Sequence, residues 1–196
     1  WVAEEFAMLD VLSGGRLVAG FPLGTAMDTV FGYGQVPITL REKYQEAHDL
    51  VIKAWTEREP FAFNGKYTQS RYINIWPRPY QQPRPPIWVP GSGSLETWDW
   101  TIQNDYVYCY LSYSGYKVGK AVLDGFWEEM DRQNKEFNPY HAGFLQLVAV
   151  SETDSQAEEY KDSIEYFFKK CLHIHSGFGN PPGYRSARTN SSEAAA

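Results

Sequence analysis

The chain has 196 residues, 43% of them hydrophobic and 16% aromatic, and a formal net charge of −6. That is enough apolar material for a sizeable core, which excludes wholesale disorder. No run reaches the ~20 apolar residues that span a bilayer, and there is no Lys/Arg cluster to track a nucleic-acid backbone. The two cysteines, Cys109 and Cys171, lie far apart. They read as two buried thiols in a reducing, cytoplasmic compartment, not as a disulfide framework.

Residues 3–12 predict a helix with Phe6, Ala7 and Leu9 as apolar surface. Ser13-Gly14-Gly15 stops it, because glycine readily takes the left-handed conformation past a helix end. Residues 16–21 (RLVAGF) predict a short strand, and 22–37 a long Gly-rich loop. Thr39 then opens the strongest helix, ending at Trp55. Thr39 and Glu42 make a T-x-x-E capping box, and Leu40, Tyr44, Ala47, Val51, Ala54 and Trp55 recur at helical spacing. Residues 61–67 read as a hairpin turning on Asn64-Gly65. Residues 77–86 hold five prolines and must run extended over the surface.

The next strand is 87–89, followed by a Gly/Ser loop and a helix over 95–103. Residues 106–111 (YVYCYL) read as a strand buried on both faces. Residues 117–137 are helical, with Val118, Val122, Phe126 and Met130 on one side, and 144–150 (FLQLVAV) form a further strand. Thr153 and Gln156 cap a last helix carrying Ala157, Tyr160, Ile164, Phe167 and Cys171. Beyond Ser176 the chain is rich in Gly, Pro, Ser and Arg and shows no clear element. Strands alternating with amphipathic helices predict a parallel α/β sheet in which the four main strands are neighbours. A doubly wound sheet and a (β/α)8 barrel both fit.

The stretch Gly91-Ser92-Gly93-Ser94 with Thr97 carries the most chemistry. It leads from a strand into a helix N-terminus, whose free N–H groups and partial positive charge suit an anion, phosphate above all. Gly91 and Gly93 let a ligand approach the backbone, and Ser92, Ser94 and Thr97 add hydroxyls. The plainer reading is that Ser94 simply caps the helix. His48 and His141 are candidate general bases without an identifiable partner. His173-x-His175 has no third ligand in view and reads as a solvated or capping pair, so no metal site is assigned. Glu96 suits the first turn of its helix. Glu128-Glu129 and Glu158-Glu159 read as solvated helix faces.

Glu5-Phe6-Ala7-Met8-Leu9-Asp10-Val11-Leu12-Ser13-Gly14-Gly15-Arg16-Leu17 resembles the LD-x-LS-x-GR segment of the luciferase-like flavin monooxygenases. That group includes bacterial luciferase, alkanesulfonate monooxygenases and deazaflavin-dependent oxidoreductases. The order that follows is also similar: a Gly-containing strand at 18–21, a helix from Arg41-Glu42-Lys43-Tyr44 to Trp55, a small insertion, then Pro86-Ile87-Trp88-Val89 and the Gly/Ser loop. The resemblance covers about residues 1–175. It implies a (β/α)8 TIM barrel, of which this chain, 1–196, holds a partial barrel around strands 4 to 7, with N-terminal strands and the C-terminal end missing.

The resemblance further implies reduced FMN as cofactor, with F420 as the alternative, and O2 and a small organic molecule as substrates. It also implies a separate flavin reductase as partner and a homo-oligomer when full length. The cofactor phosphate would rest on Gly91, Ser92, Gly93, Ser94 and the residues to Thr97. Aromatic walls would come from Phe21, Tyr33, Trp76, Trp88, Tyr108 and Tyr110, and no catalytic residue is named. One departure stands out: many relatives carry an Arg in the loop after the 18–21 strand, and this chain reads Phe21-Pro22-Leu23-Gly24 there. A non-catalytic, aromatic-rich binding protein is the reading from outside this class.

Overall fold

Helix α1, Val2–Ser13, buries Ala3, Ala7 and Asp10 along one stripe, the i, i+4, i+7 spacing of a helix face. Gly14 ends it at φ 65°, a conformation that glycine adopts without strain. The computed structural model describes residues 1–24, 26–112, 115–171, 178 and 181–183. Asp10 is fully buried. Its carboxylate accepts the Gln81 N–H and the Gln81 side-chain amide, each at 2.8 Å. That amide also donates to the Leu17 carbonyl at 2.8 Å. The aspartate of the LD-x-LS-x-GR segment therefore fastens the proline-rich connection of 77–86 to α1 and to the lead-in of the first strand.

Helix α2, Pro37–Thr56, begins two residues before the sequence reading placed it. Pro37 takes the first turn, where its missing N–H costs nothing, and no side chain caps the end. The Thr39–Glu42 capping box does not form. The Thr39 hydroxyl donates to the Val36 carbonyl, and Glu42 accepts from Lys66 Nζ and the Tyr67 hydroxyl. Trp55 ties α2 to α1 by donating its indole N–H to the Ala3 carbonyl at 2.8 Å.

The hairpin consists of β2, Phe61–Asn64, and β3, Gln69–Ile73. Asn64 pairs with Gln69, so the turn spans 65–68 and is not the two-residue Asn64-Gly65 turn. Its anchor is Glu46 of α2, whose carboxylate accepts the N–H groups of Lys66, Tyr67 and Thr68 at 2.6–3.1 Å. A Cβ at Gly65 would collide with that carboxylate. Close approach, not positive φ, is what requires glycine there.

Four parallel strands form the main sheet in the order β1-β4-β5-β6. They are β1 Ala19–Gly20, β4 Ile87–Gly91, β5 Val107–Ser112 and β6 Ala142–Gln146. β1 is shorter than the expected 16–21. Its neighbour is preceded by Pro85 and Pro86, which have no N–H to extend the ladder. β6 lies earlier than the expected 144–150, because its partner β5 ends at Ser112, opposite Gln146.

Helix α3 is Leu95–Gln103 and α4 is Tyr116–Arg132. α4 stops short of Phe137 because Asn134 turns left-handed at φ 54°. Asn134 and Lys135 return their N–H groups to the Asp131 and Met130 carbonyls, as a helix C-terminus does. The last helix is split into α5, Asp154–Glu158, and α6, Lys161–Tyr166. Thr153 caps it as expected, accepting the Gln156 N–H. The Cys171 side chain, His173, His175 and the stretch after Ser176, apart from 178 and 181–183, lie outside the described residues.

The two faces of the sheet differ. Ala19, Ile87, Val89, Tyr108 and Tyr110 are buried beneath the helices, in two clusters centred on Trp55 and on Phe126. Val18, Trp88, Pro90, Cys109, Leu111 and Leu145 alternate with them and line an open concavity of about 570 Å³ on the other face. Cys109 is thus half-buried on the open face, not a core thiol; burial raises its pKa.

Candidate active site

Active sites of parallel α/β barrels lie at the C-terminal ends of the strands. At that end of β4 the chain passes Gly91 and Ser92, turns at Gly93 with φ 105° and enters α3 through Ser94. The loop rides directly on its supports. A Cβ at Gly91 would stand 3.1 Å from the Tyr108 ring and 3.2 Å from the Thr97 methyl; one at Gly93 would stand 3.3 Å from Val122.

The five expected phosphate residues therefore sit together, but their polar groups divide into two sets. Ser94 Oγ is 2.7 Å from Thr97 Oγ1 and accepts the Thr97 N–H at 3.4 Å. The Ser94 carbonyl also receives Thr97 and Trp98 N–H groups. Ser94 and Thr97 build the helix cap, and one hydroxyl hydrogen of the pair remains available. Ser92 is exposed, and among the described residues nothing holds its hydroxyl. No Lys or Arg occurs between Arg84 and Lys117, so the loop offers an anion a hydroxyl and backbone dipoles, not a neighbouring cation in sequence.

Below the loop stands Tyr108, fully buried and stacked on Phe126 at 5.0 Å. Among the described residues its hydroxyl makes no regular hydrogen bond, and neither does the indole N–H of buried Trp98. Burial pushes the Tyr108 pKa up to about 12, opposed by the nearby Trp98 side chain and Gly93 N–H. The sequence reading named Tyr108 as a ring-wall residue, but it placed neither Tyr108 nor Trp98 beneath the loop.

Of the expected aromatic wall, only Trp88 lines the open face. Phe21 stacks on Phe6 at 5.4 Å and against Trp55. Tyr108 and Tyr110 face the helices, Trp76 borders α1, and Tyr33 is solvent-exposed. Strand alternation decides this: Cys109 and Leu111, not the tyrosines, fall on the open side of β5.

The two described histidines stand at the opposite end. His48 is buried, with Nε2 2.8 Å from the Tyr106 hydroxyl and Nδ1 3.1 Å from Asp49. Burial holds its pKa below the ordinary value, with Asp49 working the other way. His141 lies 3.4 Å from Asp105. Tyr106 and Asp105 precede β5, so both histidines serve the N-terminal ends of the strands. Glu129, expected on a solvated face, is buried and held by Arg132 and Gln133.

The luciferase-like monooxygenase family model matches residues 1–195. The chain belongs to that family. It is 26% identical over 195 residues to the oxygenase component of flavin-dependent trigonelline monooxygenase from Acinetobacter baylyi, covering 92% of this chain and 52% of that protein. An uncharacterised protein of Sinorhizobium fredii is 29% identical over 156 residues, 79% of this chain and 44% of its own length. The chain thus spans about half the length of the curated relatives it matches.

Among solved structures, the oxygenating constituent of 3,6-diketocamphane monooxygenase from Pseudomonas putida, in complex with FMN, superposes with a TM-score of 0.70. The identity is 20%, over 87% of this chain and 51% of that one. An F420-dependent secondary alcohol dehydrogenase superposes with a TM-score of 0.69 at 19% identity, over 100% and 57%. The parallel sheet is accordingly part of a luciferase-like TIM barrel.

Proposed function

We propose that this chain forms the phosphate-holding part of a flavin-dependent monooxygenase that uses reduced FMN and O2 on a small organic substrate. The observation that carries the proposal is the Gly91–Ser94 loop. It stands at the C-terminal end of a parallel strand, opens α3, and presents an unengaged Ser92 hydroxyl. Such an end binds phosphate through N–H groups and the helix dipole. Reduced flavin, when bound, would supply the oxygenating chemistry with O2. This chain's residues would grip the phosphate with Ser92 and the loop backbone. They would also give the ring an apolar, water-poor wall from Trp88, Pro90, Cys109 and Leu111.

The relatives described as an oxygenase component and an oxygenating constituent support a two-component arrangement, with a separate flavin reductase delivering reduced FMN. The full-length protein is proposed to work as a homo-oligomer in the cytoplasm. F420 is the second reading: the likeness to the F420-dependent alcohol dehydrogenase favours it, and a phosphate loop does not itself choose between rings.

The test is a titration of the full-length protein with FMN and with riboflavin, which lacks the phosphate. Ser92→Ala removes one donor to a charged oxygen, worth roughly 1.5–3 kcal/mol. FMN affinity should fall about 10- to 100-fold, and riboflavin affinity should stay within about twofold. Equal weakening of both flavins would show that the loop supports the fold instead of gripping phosphate.

A further inference from the structure

We infer that Tyr108 is a positioning residue for the anion loop, its hydroxyl held in reserve to hydrogen-bond the loop backbone when a phosphate ester is seated there. The inference rests on the phosphate reading of that loop. Tyr108 is 0% exposed, and among the described residues its hydroxyl makes no regular hydrogen bond. Buried polar groups are paired in nearly all native proteins, and an unpaired one costs stability. A phenylalanine would fill the same volume, and the ring already has its apolar contacts with Phe126 and Trp98. The hydroxyl is therefore unexplained by packing.

Its position supplies an explanation. A Cβ on Gly91 would lie 3.6 Å from the hydroxyl oxygen, so that oxygen sits against the loop backbone from below. The Gly93 N–H and the Trp98 side chain are close enough to favour its ionised form, yet neither makes a regular hydrogen bond with it. Above the same backbone is the space where an anion would be bound. An anion that draws the Gly91–Ser94 peptides into a fixed arrangement gives Tyr108 a loop partner. The gain from satisfying that hydroxyl then adds to phosphate affinity and not to the stability of the free protein.

Tyr108→Phe in the full-length protein tests this. Three outcomes are expected: unchanged or higher thermal stability without ligand, FMN affinity about tenfold lower, and riboflavin affinity within about twofold of wild type. A variant that keeps the wild-type ratio of FMN to riboflavin affinity overturns the assignment of Tyr108, while leaving the phosphate loop in place. A wild-type protein that binds both flavins equally brings down the phosphate reading and this assignment with it. A second readout keeps the chain intact: the Cζ resonance of labelled Tyr108 should shift on adding FMN and stay unmoved with riboflavin. No shift with FMN overturns the inference.

Discussion

His48 shows how one side chain can be found in the sequence and misread there. A lone histidine in a helix offers no clue to which end of a barrel it will meet. The structure buries it against Tyr106, away from the anion loop. Its depressed pKa has a consequence for stability. The unfolded chain takes up a proton near the ordinary value of 6.5, and the folded chain resists doing so. Stability is therefore full above about pH 6.5 and falls as the pH drops from there toward the folded pKa. Thermal melts from pH 7.5 to 5 should show this loss, and His48→Gln should flatten it. An equally steep profile in the variant would mean that other groups set the acid response. At the same scale, Gly14 and Ser94 were legible because a helix stop and a helix cap are local matters. Tyr108 was not, because strand alternation within an aromatic run cannot be phased from the sequence alone.

Between elements, the joints are made by carboxylates whose partners are distant in sequence. Glu46 reaches the hairpin turn and Asp10 reaches Gln81. Helix α2 was legible from its apolar spacing, but its start was not. Pro37 opens the helix earlier than Thr39, and Glu42 is drawn to Lys66 and Tyr67. Asp10 offers the clearest test of this kind of joint. Asp10→Ala strips the acceptor from the Gln81 N–H and from one bond of its amide, both beside a fully buried position. Each unsatisfied buried donor costs about 1–3 kcal/mol, so a total near 3 kcal/mol is expected by urea denaturation. Asp10→Asn, which keeps one acceptor oxygen, should lose less. A loss below about 0.5 kcal/mol for the alanine variant would show that the connection is held by other contacts.

At the scale of the molecule, the described residues cover the sheet on one face only. The helices cover Tyr108 and Val89, while Trp88 is 42% exposed and Leu145 51% exposed on the other side. Strand alternation with helices made the parallel sheet legible, and the LD-x-LS-x-GR segment made the barrel family legible. The curated relatives that this chain matches are about twice its length. The Gly91–Ser94 loop leaves the C-terminal end of β4, while Trp88, Pro90, Cys109 and Leu111 line the open face of the sheet. A flavin phosphate is proposed to sit on that loop. Phosphorus NMR of FMN titrated with the full-length protein reads that atom directly. A shifted, broadened phosphate resonance is expected with wild type, returning toward the free position with Ser92→Ala at equal protein concentration. Flavin bound by its ring, as seen by fluorescence, with a phosphate resonance identical in the two proteins would contradict that placement.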